Sequence, residues 1–431
     1  MLAAQNTAES GRYEVSRLPG HPLQEFVYLL NPYGSYFYYN LLSAAFSTLA
    51  VLFFALLLRR MAVRHYLAGA LALAFTPVFY TSSTYTIDYA WSLAFVMASL
   101  YCLAERKIVL AGILLGMAVG CRITSAAMLL PFLLLAYERS LPLRKNLAAG
   151  VLLAGSAALT ALLLFIPILH RYGPGFFMYY DQFDYPPFAK IAYKATLGVF
   201  GLVGMLGLAY GAALIVRNRF RPAEEVPAAK KWIRVSLLVF LLYIIAYLRL
   251  PQKSGYMIPL IPFAIILLAC FLGGRQFRIA CFMLILSPFI LGINLTDPLR
   301  GSRHSPLAAR FTVSGQEIFF DPLTGPVAAE YSKRWRKLEF TDKVIAAFTS
   351  GSEKCIVISG WWYNEIAVKL KQRGLDAYAG NFVFYINKGQ IDSLRSAGHE
   401  ICYLPEQDIY NDQYSKMNYT ARSARPLRIP E

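Results

Sequence analysis

The chain has 431 residues, 57% of them hydrophobic and only 16% charged, with a formal net charge of +17. Soluble domains hold about 45–50% apolar and about 25% charged residues, so the composition excludes an ordinary soluble domain and points to a membrane protein. The surplus positive charge sits in short loops between apolar runs, where it reads as a topology signal and not as a nucleic-acid surface. No nucleic-acid partner is expected.

In chain order, residues 1–36 contain no apolar run of signal or span length. Within them, Ser16–Glu25 (SRLPGHPLQE) holds two prolines and a glycine. These predict a compact loop that displays Arg17, His21 and Glu25; the alternative is a plain connector with solvated charges. A bilayer is crossed by about 20 apolar residues, and candidate spans fall at 37–58, 66–82, 88–104, 108–137, 146–169, 195–216, 232–249, 257–273 and 277–294. The 108–137 run is too long for one span. With Gly112, Gly116 and Gly120 followed by Arg122, it reads as two helical pieces meeting near Cys121-Arg122.

Loop charges then orient the spans. Arg59, Arg60 and Arg64 follow the first span, no Lys or Arg occurs in 81–87, and Arg106 and Lys107 follow the third. Further on come Arg139, Arg144 and Lys145, then Arg217, Arg219, Arg221, Lys230 and Lys231, then Arg275 and Arg278. All fall on one side if the broken run enters and returns to the same face, and the positive-inside rule makes that side cytoplasmic. Residues 1–36, the loop 170–194 and everything after about Leu295 are then external. An external start without a span ahead of it predicts a transmembrane helix upstream of Met1, missing through a shortened gene model; direct export of a short tail is the alternative.

Residues 295–431 lose the long apolar runs. Strand patterns at 355–359, 382–386 and 400–404 alternate with helical patterns at 364–373 and 389–397, closed by Gly374 and Gly398. This predicts a small α/β domain. It carries no GxGxxG or GxxxxGK[ST] loop and hence no nucleotide site. Trp361-Trp362-Tyr363 suits stacking on a sugar or, more commonly, core packing. The six cysteines show no CxxC pair or metal-ligand spacing. Cys355 and Cys402 could pair if this part is external, but two buried thiols in neighbouring strands is the preferred reading. The expected organisation is an external N-terminal region (1–36), an α-helical polytopic membrane bundle (37–294) and a C-terminal extracytoplasmic α/β domain (295–431).

Ionisable residues at membrane level are costly and usually functional. Asp88 opens a span after the uncharged loop, either as a proton acceptor or cation site or as a first-turn helix carboxylate. Arg122 at the helix break could meet a phosphate or simply bond backbone carbonyls. Arg249, Lys253 and Tyr256 lie in a tight external turn; Asp181 and Asp184 lie in the aromatic-rich loop 176–188. A few carboxylates among several cations at one outer, membrane-level site suit a lipid-borne phosphate substrate. A carboxylate would act as general base and cations would hold the leaving phosphate.

Three segments carry a family likeness: GRYEVSRLPGHPLQEFVY at 11–28, TYTIDYAWSLAFVMASLYCL at 84–103 and ERKIVLAGILLGMAVGCRITSAAMLLPFLLL at 105–135, with the turn RLPQKSGYMIPLIPF at 249–263 in support. Over about residues 10–295 the chain resembles the polyprenyl-phosphate-sugar-dependent integral membrane glycosyltransferases of the type C fold, which include protein O-mannosyltransferases and the lipid A aminoarabinose transferase. The resemblance implies a polyprenyl-phosphate-linked sugar donor, a lipid, glycan or protein acceptor, contact with membrane lipids, and transfer on the outer face of a bacterial or archaeal cytoplasmic (inner) membrane. It makes Asp88 the family's second acidic position, with Glu25 and His21 beside it as catalytic candidates. Arg17, Arg122, Arg249, Lys253, Tyr256 and Asp181 become the substrate-binding candidates. The family's principal acidic residue would fall upstream of Met1, so the chain as given would lack it unless Glu9 or Glu14 substitutes. No cofactor is required by these motifs; some relatives use a divalent cation, and no metal-ligand cluster is legible here. Competing readings are a transporter or flippase for lipid-linked glycans, a non-catalytic binder of them, and a wall-polymer ligase. A transporter would more often show paired broken helices in internal repeats, and one broken run is found.

Overall fold

The computed structural model describes residues 2–174, 185–223, 226–294, 305–313, 316–350, 355–384, 388–404, 424–427 and 429. Two short helices, α1 (Leu2–Ser10) and α2 (Pro22–Leu29), precede the bundle. Pro22 suits the start of α2 because its missing N–H falls where no intrahelical partner exists. The bundle begins with α3 (Tyr36–Arg60), α4 (Tyr66–Phe75), α5 (Pro77–Ser83), α6 (Tyr89–Ala104) and α7 (Ile108–Cys121). A 3-10 turn, Ile123–Met128, leads to α8 (Leu129–Ala136), followed by α9 (Leu143–Tyr172), α10 (Phe188–Ala195), α11 (Leu197–Arg217) and α12 (Ala229–Arg249). A second 3-10 turn, Ser254–Leu260, opens α13 (Ile261–Phe271), and α14 (Gly274–Leu286) ends the series. Among the described residues, five segments are long and apolar enough to cross a membrane: α3, α9, α11, α12 and the stretch Ser254–Phe271.

Side-chain pairs sort the helix ends onto two faces. Arg60 meets Glu105 at 2.8 Å, Arg106 pairs with Glu138, and Lys231 donates to the Tyr137 carbonyl at 3.0 Å. The Ala223 N–H donates to the Cys270 carbonyl at 2.8 Å, bringing the α11–α12 loop to the end of α13. These contacts gather the basic loops at one end of the bundle, as their spacing predicts.

The long 108–137 run is a hairpin. α7 leaves the basic end and stops at Cys121; Arg122 is extended (φ −156°, ψ 113°), and the chain returns through the 3-10 turn and α8 to the Arg106–Glu138 pair. The glycine stripe explains how α7 is held. A Cβ at Gly112 would lie 2.6 Å from the Leu153 carbonyl, and one at Gly116 2.6 Å from the Ala157 carbonyl. α7 and α9 therefore approach backbone to backbone, as small residues at four-residue spacing permit. This contact fixes the height at which the helix breaks.

The predicted 277–294 span does not form as one element. α14 ends at Leu286, and Gly292–Asn294 is a strand, β1. Ser287 caps the end by donating to the Phe200 carbonyl at 2.5 Å and accepting from the Gly204 N–H at 3.0 Å. β1 joins β2 (Ala309–Val313) and β3 (Gln316–Asp321) in an antiparallel sheet of order β1-β3-β2, so the expected 294/295 boundary cuts a sheet. A 24-residue helix, α15 (Pro326–Thr349), follows. The α/β alternation expected over 355–404 forms: β4 (Ile356–Ile358), α16 (Tyr363–Gln372), β5 (Phe382–Val383), α17 (Lys388–Ser396) and β6 (Ile401–Tyr403), with β7 (Arg425–Pro426) added at one edge. The strands are parallel in the order β5-β4-β6-β7.

Cys355 and Cys402 are joined as a disulfide, which corrects the expectation of two free thiols. Parallel pairing of Ile356 with Ile401 and Val357 with Cys402 brings the start of β4 beside β6, and the Cα atoms of the two cysteines stand 6.0 Å apart, within bridging range. Trp362 is fully buried against Phe340 in the core of this region, so packing is its role. α15 docks on the non-basic end of the bundle: Arg334 donates to the Thr81 carbonyl at 2.7 Å and lies over the Tyr85 ring. α1 meets α16 through Glu9 and Lys371 at 2.5 Å.

Candidate functional site

At the end of the bundle opposite the basic loops, the N-terminal loop, the start of α6 and the break after α7 converge on Asp88. The loop is placed by its own chemistry. Gly20 has φ +94°, and a Cβ there would lie 2.4 Å from the Ile168 side chain, so only glycine lets the turn close onto α9. Val15 and Leu18 pack with Ile168, Phe165 and Val119. Glu25, buried, accepts from Tyr13 Oη, from the Ser16 N–H at 2.7 Å and from Ser16 Oγ at 2.6 Å. Glu25 is thus spent on holding the loop and does not join Asp88.

Asp88 is 2% exposed and doubly paired: Arg17 Nη2 donates to Oδ1 at 2.7 Å and Arg122 Nη1 to Oδ2 at 2.6 Å. Burial works against its charge, but the two guanidinium groups bonded to it outweigh that and keep the carboxylate ionised. His21 lies between the loop and the helix break. Its Nδ1 is 2.7 Å from the Cys121 carbonyl, which can only accept, so Nδ1 carries the proton and Nε2 accepts from Arg17 Nε at 3.0 Å. Both ring nitrogens are used. Burial drives the imidazole towards its neutral form, with Arg17 adding to the effect against Asp88. His21 therefore positions Arg17.

Arg122 does not bond backbone carbonyls. Its Nε donates to Thr124 Oγ1 at 3.2 Å, and its guanidinium carbon sits 4.6 Å from the ring centroids of both Tyr89 and Tyr256. Such stacking is a use of guanidinium that ammonium cannot match. Gly255 makes room for it: a Cβ there would lie 2.3 Å from Tyr89 Cε2. The Tyr89 hydroxyl is buried and has no hydrogen-bond partner among the described residues.

Lys253, at the mouth of the same turn, is half-buried by surface yet surrounded by protein. That burial pushes its ammonium down to about 7, with Arg17, Lys333 and Lys337 adding to the effect and Asp88 opposing it. Lys333 and Lys337 come from α15, so a helix of the C-terminal region lends charge to the membrane-level cluster. Lys194 of α10 is also buried beside this turn, donating to the Gln252 carbonyl at 2.7 Å.

The sequence-predicted residues thus divide. Asp88, Arg17, His21, Arg122, Lys253 and Tyr256 are brought together. Glu25 stands apart as a loop anchor, Arg249 is exposed at the end of α12, and Asp181 and Asp184 lie outside the described residues. Sequence reasoning missed Tyr89, Lys194, Lys333 and Lys337. Tyr89 had one available signal, its position directly after Asp88; the two α15 lysines had their four-residue spacing on a mixed, weakly apolar helix. Among the described residues, no group of three or more His, Cys, Asp or Glu could hold a metal ion.

In comparison with known proteins, no family model, no curated protein and no solved structure matches the chain.

Proposed function

We propose that the chain is a membrane glycosyltransferase that takes a sugar from a polyprenyl-phosphate donor at the face bearing Asp88, and that this face is extracytoplasmic. The observation that carries the reading is the cationic cluster built around one buried carboxylate. Asp88 is the internal counter-ion that holds Arg17 and Arg122 in place, while Lys253 and Lys333 add positive charge at the mouth and Lys337 is paired with Glu365. Two guanidinium groups share the one Asp88 carboxylate, and that surplus of positive charge, at the level where a lipid phosphate lies, is suited to a phosphodiester. In the transfer, the bond between the sugar's anomeric carbon and the phosphate oxygen breaks, and the electron pair stays on that oxygen. The acceptor's oxygen forms the new bond and loses its proton to the departing lipid phosphate, which as a monoester can carry it. The cations stabilise the phosphate as charge grows on it. The clamp on Asp88 gives this carboxylate an organising role, and Glu25 has a similar role in the loop.

Sidedness is supported by the disulfide between Cys355 and Cys402, since such bonds persist in oxidising compartments. The basic loops at the other end support it independently.

The test is a transfer assay on membranes containing the full chain, with radiolabelled polyprenyl-phosphate hexoses and pentoses supplied in turn. The expected result is movement of label from at least one donor into the acceptor fraction, dependent on the chain and lost in Lys253→Met. If no donor is consumed but the chain still binds one, the non-catalytic binder replaces the enzyme; if none is bound, both readings fall.

A further inference from the structure

The opposite end of the bundle holds a second charged feature that the proposed reaction does not use. A hollow of about 700 Å³ opens between the loop after α11 and the junction of α13 with α14. Arg217, Arg219 and Arg221 line it together with Phe271 and Gly273, and among the described residues no carboxylate does.

Three other cations at this end are engaged. Arg60 is paired with Glu105, Arg106 with Glu138, and Lys231 with the Tyr137 carbonyl. Among the described residues, no hydrogen bond or ion pair engages the guanidinium groups of Arg217, Arg219 or Arg221. The loop that presents them is held in a costly shape. Arg219 and Phe220 both adopt positive φ (54° and 55°), a region that non-glycine residues visit at a cost. The Ala223 N–H to the Cys270 carbonyl pins the far end of the loop to α13. Phe220, 63% exposed, lies beside the arginines, where an aromatic ring suits the headgroup level of a bilayer.

We infer that this hollow is a binding site for a phosphate group, supplied by an anionic phospholipid headgroup. Like charges spaced two residues apart repel one another, and an anion in the hollow removes that repulsion. Guanidinium groups suit phosphate because their planar fork can donate two bonds at once. The hollow's position at a helix-end junction, beside an exposed aromatic, favours a lipid over a soluble phosphate as the source. This site is independent of the transfer reaction, which takes place at the other end.

The test uses the full chain in detergent, titrated with dioctanoyl-phosphatidylglycerol, with dioctanoyl-phosphatidylcholine as the neutral control and with inorganic phosphate. Binding is read by native mass spectrometry and by the rise in Tm. Wild-type protein should take up phosphatidylglycerol and gain Tm. The triple variant Arg217→Gln/Arg219→Gln/Arg221→Gln should bind it roughly fivefold more weakly per arginine removed, on the order of 100-fold in all. Each single variant, less disruptive, should show its own roughly fivefold loss. If inorganic phosphate alone reproduces the wild-type gain and the triple variant loses it, the phosphate site stands with a soluble source. Equal binding of phosphatidylglycerol by wild type and triple variant, or equal response to phosphatidylcholine, overturns the site.

Discussion

The two ends of the bundle handle charge in opposite ways. At the Asp88 end, Arg122 is buried and Arg17 half-buried; both are given an internal anion, and Arg122 also has stacked rings and a hydroxyl partner. At the other end, Arg217, Arg219 and Arg221 are exposed on a short loop around an open hollow. Burial is the difference that matters. A buried guanidinium must be paired or it would not stay charged and in place, so its partner is built into the chain. An exposed one can wait for a ligand. The first arrangement yields a rigid, pre-organised site, and the second an adaptable one whose affinity falls with salt.

Breaking the internal pairing should therefore have the largest effect. Asp88→Asn or Arg122→Met leaves a buried charge with fewer partners and should cost about 3–5 kcal/mol of stability, read as a large fall in Tm of the purified protein. Tm unchanged in both variants would mean that the clamp is not structural. A smaller effect is expected from Gly255→Ala, whose Cβ would press on the Tyr89 ring at 2.3 Å. Overpacking of this kind costs about 1–3 kcal/mol, and because Tyr89 stacks on Arg122, donor binding should weaken alongside Tm. Loss of Tm without any change in binding would separate the stack from the site. The smallest effect on stability belongs to the exposed end, where surface substitutions usually stay within about 0.5 kcal/mol each. The triple arginine variant should keep a Tm near that of wild type in the absence of lipid.

Much of the bundle was legible because long apolar runs have few alternatives, and the break at Arg122 was legible because the run was too long for one span and carried a glycine stripe. Asp88 stood out as a charge at a span boundary. Its pairing with Arg17 was not readable, since the partners are 71 residues apart and meet only when the loop closes onto α9. The end of α14 was misread because composition does not tell an apolar helix from the strand at Gly292–Asn294. The disulfide was misread because a pair of cysteines in an apolar setting looks alike reduced or bonded until strand register places them side by side. α15, and with it Lys333 and Lys337, escaped notice because a mixed-charge helix gives only a weak periodic signal.

The central claim, that the Asp88 end holds a lipid-linked phosphodiester, is tested most directly by donor binding against pH. A short-chain polyprenyl-phosphate hexose keeps its single negative charge across the neutral range. Lys253, pushed down to about 7, is the group of the cluster that changes charge there; Asp88 stays ionised and His21 stays neutral. Protonated Lys253 attracts the donor, so affinity should be level below about pH 7 and fall as pH rises through that value. In Lys253→Met, affinity should be lower and flat across the same range, with Tm unchanged. Wild-type binding that does not respond to pH, or a fall of equal slope in the variant, would contradict the account.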